Sequence, residues 1–119
     1  MRRELSKLIE ANIIFPINHS SWVENFVHVR KKNGEIRLCV DFRDLNQASF
    51  KDHHPLPSME YILSNVSGSE RFSFLDGFSG YNQVLVKESD RYKTAFTTKW
   101  GTYAYCKMSF GLNNVGATF

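Results

Sequence analysis

The 119-residue chain is 42% hydrophobic and 14% aromatic, with ten Phe, a composition that suits one folded domain or part of one and excludes a disordered tail. Its 15 Lys and Arg against 12 Asp and Glu give a net charge of +3, which by itself selects no partner. No apolar run approaches the roughly 20 residues of a membrane span, and Met1-Arg2-Arg3-Glu4-Leu5-Ser6-Lys7 lacks the apolar stretch of a signal peptide, so an intracellular, cytoplasmic protein with no membrane partner is expected.

Leu5, Leu8 and Ile9 recur at helical spacing and predict an amphipathic helix from about Arg3 to Ala11, stopped by a left-handed Asn12. Phe26 to Arg30 and Ile36 to Phe42 read as strands. In the second, Ile36, Leu38, Val40 and Phe42 share one face, while Arg37, Cys39, Asp41 and Arg43 share the other. Asn33-Gly34 lies between them and is a strong hairpin signal, with Lys31 and Lys32 at the tip. Arg30, Lys31, Lys32, Arg37 and Arg43 crowd this span, opposed only by Glu35 and Asp41. A solvated hairpin tip and a phosphate-binding surface both account for that cluster.

His53-His54 precede Pro55 and read as an extended loop rather than a metal site. Pro57 is placed to open a helix in which Met59, Ile62, Leu63 and Val66 form a core-facing stripe, with Gly68 past its end. Phe72-Ser73-Phe74-Leu75 predicts a short buried strand ending at Asp76. Glu88 to Lys93 reads as a helical turn. Thr94 to Thr98 and Thr102 to Met108 read as strands joined by Lys99-Trp100-Gly101, and Phe110 to Asn114 break the pattern before a new helix. Cys39 and Cys106, far apart and without metal-ligand spacing, read as buried thiols rather than a disulfide.

The segment from Leu75 to Gln83 carries the chemistry. A carboxylate at a strand tip, Asp76, can hold a divalent metal. The small residues Gly77 and Gly80 after it let backbone N–H groups approach phosphate oxygens. Tyr81 can pack against the sugar of a nucleotide. The competing reading is that Asp76 is an ordinary turn or cap residue. Nucleotidyl transfer also needs cations on the triphosphate, and Lys32 and Arg37 reach it only if the sheet brings the hairpin over the strand tip.

Taken together, these segments resemble a known family. Lys31-Lys32-Asn33-Gly34-Glu35-Ile36-Arg37-Leu38-Cys39-Val40-Asp41-Phe42-Arg43-Asp44-Leu45-Asn46 resembles the fingers hairpin of reverse transcriptases from LTR retroelements. Pro55-Leu56-Pro57 with the helix after it, Leu75-Asp76 through Gln83, Thr94-Ala95-Phe96-Thr97 and Met108-Ser109-Phe110-Gly111-Leu112 match further motifs in the family's order. The nearest likeness is to the gypsy class, of plant type.

The resemblance implies an α+β fold: the fingers and partial palm of a right-hand polymerase, an antiparallel sheet packed with helices, truncated before the second catalytic motif. It implies one partial domain over 1–119, with about 1–70 fingers-like and about 71–119 the start of the palm with interleaved fingers strands. It implies an RNA-directed DNA polymerase that adds deoxynucleotides to a primer by two-metal nucleotidyl transfer. Asp76 takes the place of a catalytic, metal-binding aspartate, and the Gly77 carbonyl that of a backbone metal ligand. Two ions, Mg2+ or Mn2+, are implied in the complete enzyme. Ser79 and Gly80 match positions whose N–H groups meet the triphosphate, and Tyr81 the aromatic that blocks a 2′-hydroxyl. Lys32 and Arg37 match the triphosphate clamp, with Lys31 a rival to Lys32. Phe110 and Gly111 match positions lining the nucleotide and template pair. The implied partners are an RNA and DNA primer-template, deoxynucleoside triphosphates, and the remainder of a pol polyprotein (rest of the palm, thumb, ribonuclease H and integrase).

The departures have consequences of their own. The family places an adjacent pair of aspartates on a later hairpin, and no Asp-Asp occurs here. Glu24-Asn25 stands where Ser-Pro is common, His28 where an apolar residue is usual, and Val115-Gly116 where a small residue and then Pro or Gly is usual. The expectation is therefore a fragment inactive alone. The alternative is a decayed or non-catalytic remnant with at most weak nucleic-acid binding. An unrelated α/β nucleotide-binding protein is the third reading.

Overall fold

A computed structural model describes residues 1–75 and 80–118. Helix α1 (Arg2–Glu10) turns one apolar face inward, burying Leu5, and ends at Asn12 with φ 55°, the left-handed stop its sequence predicts. Strand β1 (Ile14–Ile17) follows, an element with too short a pattern to be read in advance. Strands β2 (Asn25–Arg30) and β3 (Ile36–Asp41) form the expected antiparallel hairpin, pairing Arg30 with Ile36 and Asn25 with Asp41. Its turn closes by Gly34 N–H donating to the Lys31 carbonyl at 3.0 Å, with Gly34 at φ 85°, a conformation that favours glycine.

Helix α2 (Arg43–Ala48) follows directly and buries Leu45. Helix α3 (Met59–Val66) begins two residues after Pro57 and is capped by Ser58, whose hydroxyl accepts from the Tyr61 N–H at 3.2 Å. Gly68 beyond it has φ 86°. After Gly80–Gln83 and Glu88–Thr94, both short 3-10 turns, come strands β4 (Phe96–Thr98) and β5 (Gly101–Tyr105) and a last turn of helix, α4 (Val115–Thr118). β5 is central in a three-stranded antiparallel sheet, with β1 on one side and β4 on the other.

The two sheets meet where Glu24, just before β2, bridges to Phe96 and its N–H donates to the Ala95 carbonyl at 2.8 Å. Leu5, Ile14, Phe42, Leu45, Phe96 and Tyr105 form the core beneath this junction. Its aromatic rings interlock, Phe96 lying 5.5 Å from Tyr105 and 6.2 Å from Phe26 between centroids.

Three expectations need correction. The stripe on α3 is not core: Met59 is 69% and Leu63 58% exposed, and no side chain of the helix is buried. Phe72 to Leu75 do not form a buried strand. They adopt no regular structure, and Phe74 and Leu75 are 92% and 97% exposed. A strand needs a hydrogen-bonded neighbour, and none of the described residues pairs with this segment. Cys39 and Cys106 are unpaired as expected but half-buried, and Cys106 Sγ donates to the Asn12 carbonyl at 2.6 Å.

Candidate functional site

The β2–β3 hairpin stands beside α1 and the turn at Ser109-Phe110, and a cleft of about 620 Å³ opens between them. Arg37 of β3 and Phe110 line it together, although 73 positions separate them in sequence. Tyr81 packs edge-on against the Phe110 ring, with centroids 4.9 Å apart and planes at 74°. The floor is made of Leu8, Ile13, Leu38 and Tyr105. Burial pushes the Tyr105 phenol above its ordinary value, so this floor carries no charge at neutral pH.

The rim is charged. Lys31 Nζ lies 3.0 Å from Glu35 Oε2, and that hydrogen bond holds the Glu35 carboxyl below the usual range. Glu4 and Lys7 of α1 face the same cleft, paired at 2.8 Å. At the start of α2, Arg43 is taken by Asp41, the last residue of β3, through Nη2–Oδ2 at 2.6 Å and a forked Nε contact at 2.9 Å, which lowers the Asp41 carboxyl. Arg37 has no such partner: among the described residues no carboxylate lies within ion-pair distance of it. Among the residues lining the cleft it is the guanidinium left available to an anion.

The expected site residues are distributed unevenly around this cleft. Arg37 and Phe110 line it, and Tyr81 reaches it through Phe110. Lys32 is exposed at the hairpin tip and outside the lining, whereas its rival Lys31 is part of it. Gly80 is buried at the start of a 3-10 turn. Gly111 has φ 93°, a backbone that favours glycine, even though a Cβ there would meet nothing closer than Phe42 Cδ2 at 3.5 Å. Asp76, Gly77 and Ser79 lie outside the described residues. Among the described residues, no group of three His, Cys, Asp or Glu can hold a metal ion.

Two sets of positioning contacts had no signal in sequence. Asn46 Nδ2 donates to the Gly111 carbonyl at 2.6 Å, and the Asn113 N–H and Nδ2 donate back to Asn46 Oδ1 and carbonyl at 2.9 Å each. Asn114 extends the clamp, accepting from the Asp52 N–H at 2.8 Å and donating to the Phe50 carbonyl at 2.9 Å. These bonds tie the Phe110–Asn114 turn to the end of α2 across more than 60 residues. The second contact is made by Glu24, which is buried. Its Oε1 accepts from Trp22 Nε1 at 2.9 Å and from the Leu45 N–H in the first turn of α2 at 3.1 Å. Phe42, at the N-cap of α2, has no oxygen to offer, so Glu24 satisfies that turn from another element. The Glu24 departure from the family pattern thus has a structural role.

Known proteins resemble this chain along its whole length. The family described as reverse transcriptase (RNA-dependent DNA polymerase) matches residues 29–119. A retrovirus-related Pol polyprotein from transposon gypsy of Drosophila melanogaster is 36% identical over 129 residues, covering 100% of this chain. An RNA-directed DNA polymerase homolog from Oenothera berteroana is 34% identical over 84 residues, covering 71% of this chain and 59% of that protein. This chain spans only 12% of the gypsy polyprotein. In three dimensions it is similar to the prototype foamy virus protease-reverse transcriptase, with TM-score 0.81 and 20% identity over 100% of this chain and 16% of that one. It is also similar to a foamy viral protease-reverse transcriptase in complex with double-stranded DNA, with TM-score 0.77 and 17% identity over 99% of this chain and 21% of that one.

Proposed function

The chain belongs to the reverse transcriptase (RNA-dependent DNA polymerase) family, and on that premise we propose that it is the nucleotide-facing part of an RNA-directed DNA polymerase. Its partners are an RNA or DNA template with its primer, deoxynucleoside triphosphates, and the rest of a pol polyprotein. The observation that carries the reading is the shared cleft. Arg37, without a carboxylate partner among the described residues, and Phe110, backed by Tyr81, face one space of about 620 Å³, a size in the range of small-molecule sites.

In this reading the residues divide the work. Arg37 binds triphosphate oxygens, for which its planar fork is suited. Lys31 is the better placed lysine of the pair, since it lines the cleft while Lys32 does not. Phe110 presents its exposed ring to the nucleotide and template base, and Gly111 and the Asn46 clamp fix its turn. Tyr81 occupies the space a 2′-hydroxyl needs, so selection comes from a clash with ribonucleotides. Gly80 and Ser79 offer N–H groups to the phosphates. The family uses divalent metals, and Asp76 with the Gly77 carbonyl are assigned to them by their place in the motif. The division into a fingers-like part over about 1–70 and a palm start over about 71–119 belongs to the same proposal.

The test is a chimaera in which this chain replaces the matched residues of the gypsy polyprotein's polymerase. Primer extension with deoxynucleotides is expected, lost on Asp76→Ala. Tyr81→Ala is expected to raise ribonucleotide use far more than it changes deoxynucleotide kcat/KM, whereas Arg37→Ala depresses both. A chimaera that folds and binds primer-template but extends nothing would favour the second reading, a non-catalytic remnant.

A further inference from the structure

We infer that α1 completes the cleft as a triphosphate site, with Lys7 and Lys31 as two cations held on Glu4 and Glu35 and transferred to the phosphates when a triphosphate enters against Arg37. This rests on the assignment of the cleft to a triphosphate and adds to it a wall that the family match does not include, since that match begins at residue 29. Lys7 and Glu4 line the cleft from the α1 side, Lys31 and Glu35 from the hairpin tip, and Arg37 from β3.

The two ion pairs suit a reserve. Lys7–Glu4 is an i,i+3 pair at 2.8 Å and Lys31–Glu35 an i,i+4 pair at 3.0 Å, both on side chains open to water. Such pairs are among the weakest in proteins, because solvent screens them and long side chains lose freedom in forming them. A ligand carrying several negative charges on three adjacent phosphates outbids a single carboxylate for each lysine. Lys7 also lowers the Glu35 carboxyl from across the cleft, a smaller effect than the Lys31 and Asn33 contacts. The apolar floor of Leu8, Ile13 and Leu38 strengthens that effect by excluding water from one side. Glu4 and Glu35 then act as resident competitors. They keep the cleft closed to single phosphates and yield only to a ligand of higher charge.

Phosphates of a nucleic-acid backbone share this chemistry, and the experiment separates the two sources. The 119-residue chain is titrated calorimetrically with sodium triphosphate, and separately with a short single-stranded oligonucleotide, in the presence of a metal chelator. Lys7→Gln is expected to weaken triphosphate binding by about tenfold or more, as for loss of a hydrogen bond to a charged group. Lys7→Arg should keep most of it, Glu35→Gln should tighten it about two- to fivefold, and Lys99→Gln, away from the cleft, should leave it unchanged. Circular dichroism and thermal melting should be the same for all of them.

If Lys7→Gln behaves as Lys99→Gln does while Arg37→Gln abolishes binding, α1 is no part of the site and the inference fails alone. If Lys7→Gln weakens binding but Arg37→Gln does not, the assignment of Arg37 under the proposed function fails and the α1 site stands. An unmutated chain that binds the oligonucleotide but not triphosphate, or neither, overturns the inference, and the primer-extension chimaera then judges the function independently.

Discussion

Helices α1 and α3 look alike in sequence and fare differently in the fold. Each carries an apolar stripe at helical spacing, Leu5, Leu8 and Ile9 on one, Met59, Ile62, Leu63 and Val66 on the other. Leu5 is 2% exposed and Leu8 packs on the core, whereas Leu63 is 58% exposed. The chain after α1 turns at once: the Ile13 N–H bonds to the Leu8 carbonyl at 2.9 Å, and β1 docks on β5, pressing the helix onto the sheet. The chain on either side of α3, residues 49–58 and 67–75, makes no ladder that would hold the helix down. An amphipathic helix specifies a face to be covered, and something else must supply the cover. Exposed surface totals 9406 Å², against about 6,600 Å² for a compact monomer of this mass.

The difference is open to measurement, most sharply in the core. Leu5→Ala should lower unfolding free energy by about 2–4 kcal/mol, and Leu63→Ala by less than about 0.5 kcal/mol, in urea titrations followed by circular dichroism. Equal losses would mean that α3 is covered in solution. Next comes the contact that ties β2 to α2. Glu24→Ala strands the Trp22 and Leu45 donors and should cost about 1–3 kcal/mol, while Glu24→Gln, which keeps an acceptor oxygen, should cost clearly less. A cost shared by both would point to charge rather than hydrogen bonding.

On α3 the expected signature lies in association rather than stability. Ile62→Lys with Leu63→Lys should leave the melting midpoint within a degree or two, since exposed substitutions change little, but should raise solubility and shift sedimentation toward monomer. A large fall in the midpoint would show that the stripe is buried.

The smallest effect is one of pH. Asp41 and Glu35 are held below their ordinary values by Arg43 and Lys31, so their pairs add stability above about pH 4 and lose it as pH falls through the depressed values. Asp41→Asn should flatten the acid limb of the stability curve slightly. Both groups are open to solvent, so a large change would contradict these exposed pairs.

How much could be read in advance follows the range of each interaction. The hairpin came from Asn33-Gly34 and the alternation around it, the end of α1 from Asn12, and the strands β4 and β5 from their β-branched and aromatic runs. The motif order from Lys31 to Leu112 was enough to name the family. All of these are signals carried by residues within a few positions of one another, where backbone sterics and pleat geometry act directly. Burial of α3 and of Phe72 to Leu75 was misjudged by the same logic, because apolarity states a demand without stating whether it is met.

Only the tertiary structure decided which charges share a cleft. It took Arg43 out of play through Asp41 and left Arg37 without a carboxylate partner among the described residues. It brought Lys7 into line with Lys31, and it clamped Asn46 to Gly111 and Asn113. The Lys7–Lys31 approach and the Asn46 clamp join residues 24 to 67 positions apart. They depend on how β5 gathers its neighbours and how the hairpin leans on α1, which no local pattern encodes. Sequence determined the pieces and their lineage because those rest on short-range geometry. The site's electrostatics waited on packing because charges act through space, whatever their order along the chain.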